Sequence, residues 1–122
     1  MALRVAIFED DKDLADLLKE IMDQKGYDVV TLYSLKKSDW PDLDIVLADF
    51  RNKLVAFQDI VKSMKEVGIP VIAISGADTG FSPELIKPFS IDELESKILE
   101  TISANGPRKK GIGSVLMRKF GL

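Results

Sequence analysis

The sequence predicts one α/β domain built on a five-stranded parallel sheet. Short apolar runs typical of strands alternate with segments whose apolar residues recur at helical spacing, which is the pattern of βαβ units. The chain has 122 residues, 46% of them hydrophobic, which suits one ordinary domain with a real core. Polar residues end four of the strand-like runs, and in a parallel sheet those ends share one edge.

The first half of the chain contains three predicted strands and one helix. The strands are expected at residues 3–8, 27–32 and 44–49. Between the first two, one helical face is formed by apolar residues at i, i+3, i+4, i+7 and i+8: Leu14, Leu17, Leu18, Ile21 and Met22. Gly26 marks the end of that helix. Only a brief helical turn fits before Pro41, which breaks any helix ahead of the third strand.

The second half contains two more strands with an unusually short connection between them. Apolar residues at helical spacing predict a helix over residues 54–67, which Gly68 ends before a fourth strand at residues 69–74. A crossover between parallel strands normally takes a dozen residues or more with a helix inside. Residues 75–83 are too few, so we expect a loop or a single helical turn before a fifth strand at residues 84–86.

The last predicted helix begins after Ser90. Ser90 as N-cap and Glu93 three positions later form a capping box, and Leu94, Ile98 and Ile102 continue the apolar face. The domain is therefore expected to cover residues 1–104.

Composition excludes several classes of protein. The chain has no cysteine and no histidine, so it has neither a disulfide framework nor a thiolate metal site. It is not a histidine phosphocarrier, a histidine-dependent hydrolase or a zinc-imidazole enzyme. No apolar stretch has the length of a signal peptide core or a membrane span, and we expect a cytoplasmic location.

Residues 105–122 are expected to form a basic tail beyond the domain. From residue 103 onward there are five basic residues and no acidic one, so residues 1–102 contain 12 basic and 20 acidic residues. The apolar residues of the tail lie beside its basic ones, and docking to an acidic partner or an anionic membrane surface is one hypothesis. A solvated tail and a linker to a missing output domain are the others. Five basic groups without a DNA-binding motif argue against nucleic-acid binding.

The polar residues at the strand ends have side chains that could form one binding site. The acidic residues 9–11 follow the first run, Asp49 ends the third, Ser75 follows the fourth and Lys87 follows the fifth. Carboxylates, a hydroxyl and an ammonium group would then converge at one edge of the sheet. This set suits a divalent cation with oxygen ligands and a phosphoryl group.

These residues resemble the receiver domain of bacterial two-component response regulators over residues 3–104. Four segments carry the resemblance, each at a strand end and all in the order of the family: residues 5–11, 44–49, 74–77 and 86–89. The resemblance implies a doubly wound, flavodoxin-like α/β fold. It also implies a signalling domain rather than an enzyme in its own right.

The resemblance implies a magnesium site and a phosphoacceptor. Glu9 and Asp10 match the acidic pair of the family, and Asp49 matches both the phosphoacceptor and a further metal ligand. Arg51 occupies the position whose backbone carbonyl contributes to the metal. Asp11 is expected to belong to the start of the first helix.

The phosphoryl group would be held by two further residues and delivered by another protein. Ser75 matches the hydroxyl and Lys87 the lysine that contact the phosphoryl group in the family. Because the chain has no histidine, the donor would be a partner histidine kinase or histidine phosphotransfer protein. An effector protein, not identified by the sequence, would read the phosphorylated state.

The sequence departs from the family pattern after three strands. The segment after Asp49 lacks the usual proline and glycine, and the second helix is shortened. The fourth helix is missing or reduced to a turn, and Glu84 occupies the position of the switch aromatic residue. These departures favour an alternative, a pseudo-receiver that acts as a protein-interaction module without accepting phosphate.

Two other classes fit less well. An aspartyl-phosphate hydrolase of the haloacid dehalogenase type needs a second aspartate two residues after the first, where this chain has Arg51. A nucleotide-binding protein needs a glycine-rich loop that opens a helix, and no helix is predicted after residues 76–80.

Overall fold

The computed structural model describes residues 2–40 and 42–105, which form a single parallel sheet with helices on both faces. The strands are β1 (Arg4–Phe8), β2 (Asp28–Thr31), β3 (Ile45–Asp49), β4 (Val71–Ser75) and β5 (Glu84–Ile86). The helices are α1 (Lys12–Gln24), α2 (Phe57–Glu66) and α3 (Ile91–Asn105), and a 3₁₀ turn (Lys37–Asp39) lies between β2 and β3. The strand order is β2-β1-β3-β4-β5, with every pair parallel. The predicted doubly wound five-stranded sheet is confirmed.

Both faces of the sheet are covered, as the nearly continuous apolar runs indicate. Every residue of β3 and β4 is buried. On one face α1 and α3 pack through Leu18, Met22, Leu94 and Ile98. On the other face α2 packs through buried Phe57, Ile60 and Met64. The sheet is therefore the middle of three layers, and its polar strand ends lie at the rim.

The helix ends agree with the capping signals of the sequence. Gly26 after α1 and Gly68 after α2 have φ values of 93° and 73°, a left-handed conformation that favours glycine. At α3, Ser90 Oγ accepts the Glu93 N–H at 3.0 Å and Glu93 Oε1 accepts the Ser90 N–H at 3.1 Å. The predicted capping box is confirmed.

Two elements start two or three residues later than predicted, while the other boundaries agree to within one residue, and each of the two differences has a local cause. Helix α2 begins at Phe57 rather than residue 54, because Asn52 Oδ1 accepts the N–H groups of Leu54 and Val55, both at 2.9 Å. That side-chain turn competes with helical hydrogen bonding. Strand β4 begins at Val71 rather than residue 69, since the preceding proline has no N–H for the ladder.

Residues 76–83 connect β4 to β5 without a helix, as predicted. Glu84 Oε2 accepts hydrogen bonds from the Thr79 hydroxyl at 2.6 Å and the Thr79 N–H at 3.2 Å. The Phe81 ring packs edge-on against Phe57 of α2, with centroids 5.0 Å apart. The peptide bonds Ser82–Pro83 and Lys87–Pro88 are cis. The loop is thus tied down at both its polar and its apolar side chains.

Among the helices of the described residues, none combines the length and apolar character that a membrane crossing requires. The basic tail proposed from the sequence lies outside the described residues, apart from its first residue.

Candidate functional site

The carboxyl ends of four strands bring the predicted site residues to one edge of the sheet. Glu9 directly follows β1, Asp49 ends β3, Ser75 ends β4 and Lys87 directly follows β5. The register keeps these ends level, since β1 pairs with β3 up to Ala48 and β3 pairs with β4 up to Asp49. The strand order reverses between β1 and β3, which is where open α/β sheets place their ligands.

Three carboxylates form the centre of the site. Oxygen atoms of Glu9, Asp10 and Asp49 all lie within 4.8 Å of one another. Glu9 is 3% exposed and Asp49 is 9% exposed, while Asp10 is half-buried at the surface. Close negative charges in a buried place repel one another, so the cluster needs positive charge nearby.

Glu9 has a strongly raised pKa, and its surroundings explain the rise. Its Oε1 accepts the Asp11 N–H at 3.1 Å, whereas its buried Oε2 has no hydrogen-bond donor among the residues that the structure describes. The Lys87 ammonium lies 3.7 Å from Oε2. Desolvation, reinforced by the charges of Asp49 and Asp10, raises the pKa of Glu9 to about 7, although Lys87 and the Asp11 N–H act in the opposite direction.

Asp10 and Asp49 are held by the loop between β3 and α2. Asp49 Oδ1 accepts the Arg51 N–H at 3.1 Å, and Asp10 Oδ2 accepts the Lys53 N–H at 3.0 Å. Desolvation tends to raise the pKa of Asp10, but the Lys53 N–H and further hydrogen bonds outweigh it, and that pKa lies below its ordinary value. The loop thereby holds both carboxylates in place and favours the charged form of Asp10.

The donor set fits a hard divalent cation. Carboxylate oxygens are the ligands that Mg²⁺ prefers, and three of them meet here with one buried oxygen that lacks a hydrogen bond. Glu9, Asp10 and Asp49 are the residues that could hold such an ion. The Arg51 backbone carbonyl stays a prediction, because the contact that the structure shows for this residue is its N–H on Asp49.

Ser75 and Lys87 occupy different depths of the site. The Ser75 side chain is buried, and its Oγ donates to the Ala77 carbonyl at 2.6 Å. Lys87 is half-buried, and its backbone N–H donates to the Ser75 carbonyl at 2.7 Å. Donation of a hydrogen bond from Ser75 to a ligand therefore requires its hydroxyl to turn away from Ala77.

An open cavity of about 650 Å³ lies over the cluster. Its lining alternates acidic, basic and small residues: Asp10, Asp11, Asp49, Arg51, Lys53, Gly76, Ala77 and Lys87. A Cβ added at Gly76 would meet no heavy atom within 4 Å. A small, charged ligand with several oxygen atoms fits this lining.

Asp11 is not part of the carboxylate cluster. It is the N-cap of α1, where its Oδ1 accepts the N–H groups of Asp13 and Leu14 at 3.1 and 3.3 Å. The expectation that Asp11 belongs to the helix start is confirmed.

Lys53 is the site residue that the sequence did not indicate. It lies four positions beyond the strand end, and no motif marks it. Its proximity to Asp10, 43 residues earlier, follows from the fold of the loop after β3. Its one signal in the sequence is its position as a basic residue shortly after the strand-end Asp49.

Comparisons with known proteins agree with the fold. No protein-family model matches the sequence. The chain is 24% identical to the nisin biosynthesis regulatory protein NisR of Lactococcus lactis subsp. lactis, over 92% of this chain and 56% of that protein. It is 26% identical to the uncharacterized transcriptional regulatory protein YrkP of Bacillus subtilis, over 81% of this chain and 49% of that protein. The chain therefore spans about half the length of the curated relatives it matches.

Solved structures with the same fold are receiver domains. A CheY-like response regulator receiver domain protein from Methanospirillum hungatei has a TM-score of 0.74 at 21% identity, covering 86% of this chain and 97% of that one. A receiver domain protein from Clostridium thermocellum has a TM-score of 0.72 at 18% identity, covering 84% and 95%. The response regulator TrrA of Thermotoga maritima, solved with Mg²⁺ and BeF, has a TM-score of 0.69 at 21% identity, covering 81% and 98%. The chain thus has the fold of response regulator receiver domains, and the resemblance inferred from its sequence is confirmed.

Proposed function

We propose that this chain is a receiver module of two-component signal transduction that accepts a phosphoryl group on Asp49. The observation that carries the proposal is the convergence of Asp49 with Glu9 and Asp10, whose oxygens lie within 4.8 Å of one another beneath an open cavity. The solved receiver domains share the fold with this chain, and the roles of the individual residues are part of the proposal. The module would comprise residues 1–104 and act in the cytoplasm.

The step is a direct phosphoryl transfer. An Asp49 carboxylate oxygen forms a bond to phosphorus while the bond between phosphorus and the donor atom breaks, and the donor keeps that electron pair. Asp49 is nearly buried at the cavity floor with one oxygen held by the Arg51 N–H. This contact orients the carboxylate, and orientation supplies much of the catalysis in such reactions.

Other residues offset the charge that arrives with the phosphoryl group. Glu9, Asp10, Asp49 and the Arg51 carbonyl would hold Mg²⁺, which supplies positive charge at the phosphoryl oxygens when bound. The Lys87 ammonium, now facing Glu9 at 3.7 Å, would contact the same oxygens. Ser75 would exchange its hydrogen bond to Ala77 for one to the phosphoryl group. Arg51 and Lys53 add basic side chains to the cavity lining.

The donor of the phosphoryl group lies outside the given sequence. The chain has no histidine, so a histidine kinase or histidine phosphotransfer protein would supply the phosphoryl group in the cell. An effector protein would then bind one state of the domain in preference to the other. No contact with nucleic acid is part of the proposal for this chain.

A pseudo-receiver is the second candidate, and the connection between β4 and β5 favours it. Residues 76–83 contain no helix, and Glu84 ties the loop through Thr79. Glu84 also stands at the position where the family has the aromatic residue that transmits phosphorylation. The domain would then bind its partners in one state only.

Intact-mass measurement separates the two candidates. The chain is incubated with Mg²⁺ and acetyl phosphate, and the same incubation is repeated with a chelator and with the Asp49→Asn variant. Asp59→Asn, which alters an exposed aspartate of α2, is the matched control. One added phosphoryl group that needs both Mg²⁺ and Asp49 supports the receiver. Absence of the adduct in the folded wild-type chain rejects phosphoacceptor function and supports the pseudo-receiver.

A further inference from the structure

A groove between β5 and α3 carries an excess of acidic groups. Its lining includes four acidic residues and one lysine: Glu84, Asp92, Glu93, Glu100 and Lys97. Leu85 and Ile86 of β5 add an apolar side, and Ile86 is 44% exposed although it is a large hydrophobic residue. The groove is distinct from the Asp49 site, with which it shares no lining residue.

The acidic groups of this groove are not neutralised by the part of the chain that the structure describes. Glu84 and Glu93 accept hydrogen bonds from Thr79 and Ser90. Asp92 and Glu100 are exposed on α3, and none of the four acids forms a salt bridge with another described residue. The groove therefore offers negative charge beside an exposed apolar surface.

We propose that the basic segment of residues 106–122 of the same chain docks in this groove. The segment has five basic residues and no acidic one, and it also carries Ile112, Val115, Leu116 and Phe120. Its charge complements the four acids, and its apolar residues match the exposed side of β5. The docking does not depend on phosphorylation of Asp49.

The length of the segment is sufficient for this contact. The segment follows Asn105 at the end of α3, five residues after Glu100. From Glu100 back to Asp92 the helix rises about 12 Å, at roughly 1.5 Å per residue. Seventeen residues reach about 56 Å when extended, or about 26 Å when helical. Either conformation spans the groove.

Because the segment of residues 106–122 is attached to the domain, weak contacts are sufficient to hold it in the groove. An exposed ion pair contributes little by itself, but a tethered segment has an effective concentration in the millimolar range. The five basic groups repel one another but are attracted by the four acids of the groove. The docked state should therefore weaken with salt, because the Debye length falls to about 3 Å at 1 M.

Paramagnetic labelling of the full chain tests the proposal. The chain has no cysteine, so Ser114→Cys provides a single site for a nitroxide label. At low salt the label should broaden the amide signals of Ile86, Ser96 and Glu100, and leave those of Glu20 in α1 unchanged. Broadening of the groove amides should disappear at 1 M NaCl.

Charge reversal provides the matched comparison. Asp92→Lys combined with Glu100→Lys should abolish the broadening at Ile86, whereas Asp59→Lys combined with Glu66→Lys, exposed acids of α2, should preserve it. Groove amides that are not broadened in the folded, labelled Ser114→Cys chain without charge reversal would overturn the proposal. Broadening that survives the groove charge reversal would also overturn it.

A mixing experiment distinguishes docking within one chain from docking between two. Labelled chain without ¹⁵N is mixed with unlabelled ¹⁵N chain at the same total concentration. The proposal requires the groove signals of the mixture to remain sharp. Broadening in the mixture as strong as in the labelled ¹⁵N chain would overturn docking within the chain and point to a second copy.

Discussion

Glu9 shows at the scale of one residue why this site is suited to a cation. Its carboxylate is buried next to two others, and one of its oxygens lacks a hydrogen-bond donor among the described residues. Burial without a partner disfavours the charged form, which accounts for the rise of its pKa to about 7. A lysine 3.7 Å away offsets only part of this charge. A divalent ion would offset more, since it adds two positive charges at the same place.

We predict that Asp10→Asn lowers the affinity for Mg²⁺ by at least about tenfold, the size typical even of substitutions outside the ligand set. The change removes one of three clustered negative charges, while asparagine keeps an oxygen for the Lys53 N–H. The affinity is obtained from the rise of the melting temperature with Mg²⁺ concentration. Asp13→Asn, which alters an exposed aspartate of α1, should bind Mg²⁺ as the wild type does. Equal affinities of Asp10→Asn and wild type would contradict Asp10 as a ligand.

At the scale of elements, α3 is tied to the end of α1 through a single acidic side chain. The Tyr27 hydroxyl donates to Glu95 Oε2 at 2.9 Å, and the Lys25 ammonium lies 3.6 Å from Glu95 Oε1. Burial of the ring, reinforced by the hydrogen bond to Glu95, raises the pKa of Tyr27 to about 12. The folded chain therefore favours the neutral phenol.

We predict that Tyr27→Phe lowers the free energy of unfolding by about 0.5–1.5 kcal/mol at pH 8, the usual contribution of one hydrogen bond. Because the pKa in the folded chain lies above the ordinary value of about 10, this contribution is complete below pH 10 and is lost as the pH rises through 12. The difference between wild type and Tyr27→Phe in urea unfolding should therefore shrink from pH 9 to pH 11. Tyr33→Phe, at a residue that is 37% exposed, is the control. A difference that stays constant over this range would contradict the linkage.

The loop between β4 and β5 covers part of the apolar surface that a helix in this position would cover. Phe81 packs against Phe57 of α2, and Phe57 also meets Phe50 at a centroid distance of 5.0 Å. Aromatic pairs in such tilted or edge-on arrangements are favourable beyond the area they bury. Three rings thus close the α2 side of the sheet near the site, and the loop leaves β5 as a short, exposed edge strand.

At the scale of the whole molecule, the central sheet joins two hydrophobic clusters. Ile60 belongs to the cluster under α2 and Ile98 to the cluster under α1 and α3, and both are fully buried. The only tryptophan, Trp40, is buried in the α2 cluster. Strands β3 and β4 each contribute side chains to both clusters. The described residues should therefore unfold as one cooperative unit.

We predict that Ile60→Ala and Ile98→Ala each lower the free energy of unfolding by about 2–5 kcal/mol, the range for buried isoleucine. For both variants, the unfolding curves from Trp40 fluorescence and from far-ultraviolet circular dichroism should coincide. Leu99→Ala, at a residue that is 58% exposed, should change stability by no more than about 0.5 kcal/mol. If Ile98→Ala moved the circular dichroism curve but not the Trp40 curve, the two clusters would unfold separately.

Local patterns in the sequence predict the order and type of the elements. Apolar periodicity, the glycines after α1 and α2 and the Ser90 capping box are local signals, and the short interval before Glu84 left no room for a helix. The same local reasoning placed Asp49, Ser75 and Lys87 at strand ends, and parallel strands carry their ends to one edge. The start of α2 at Phe57 was not predicted. It depends on two hydrogen bonds of the Asn52 side chain, which hold Leu54 and Val55 in a turn.

Only the tertiary structure decided how the site is built. The burial of one Glu9 oxygen without a hydrogen-bond donor among the described residues, the Lys53 N–H on Asp10 and the Ser75 hydroxyl on Ala77 depend on how loops from different strands meet. The acidic groove between β5 and α3 likewise depends on packing. Side-chain distances of this kind are set by contacts between residues far apart in the chain, and local periodicity contains no information about them.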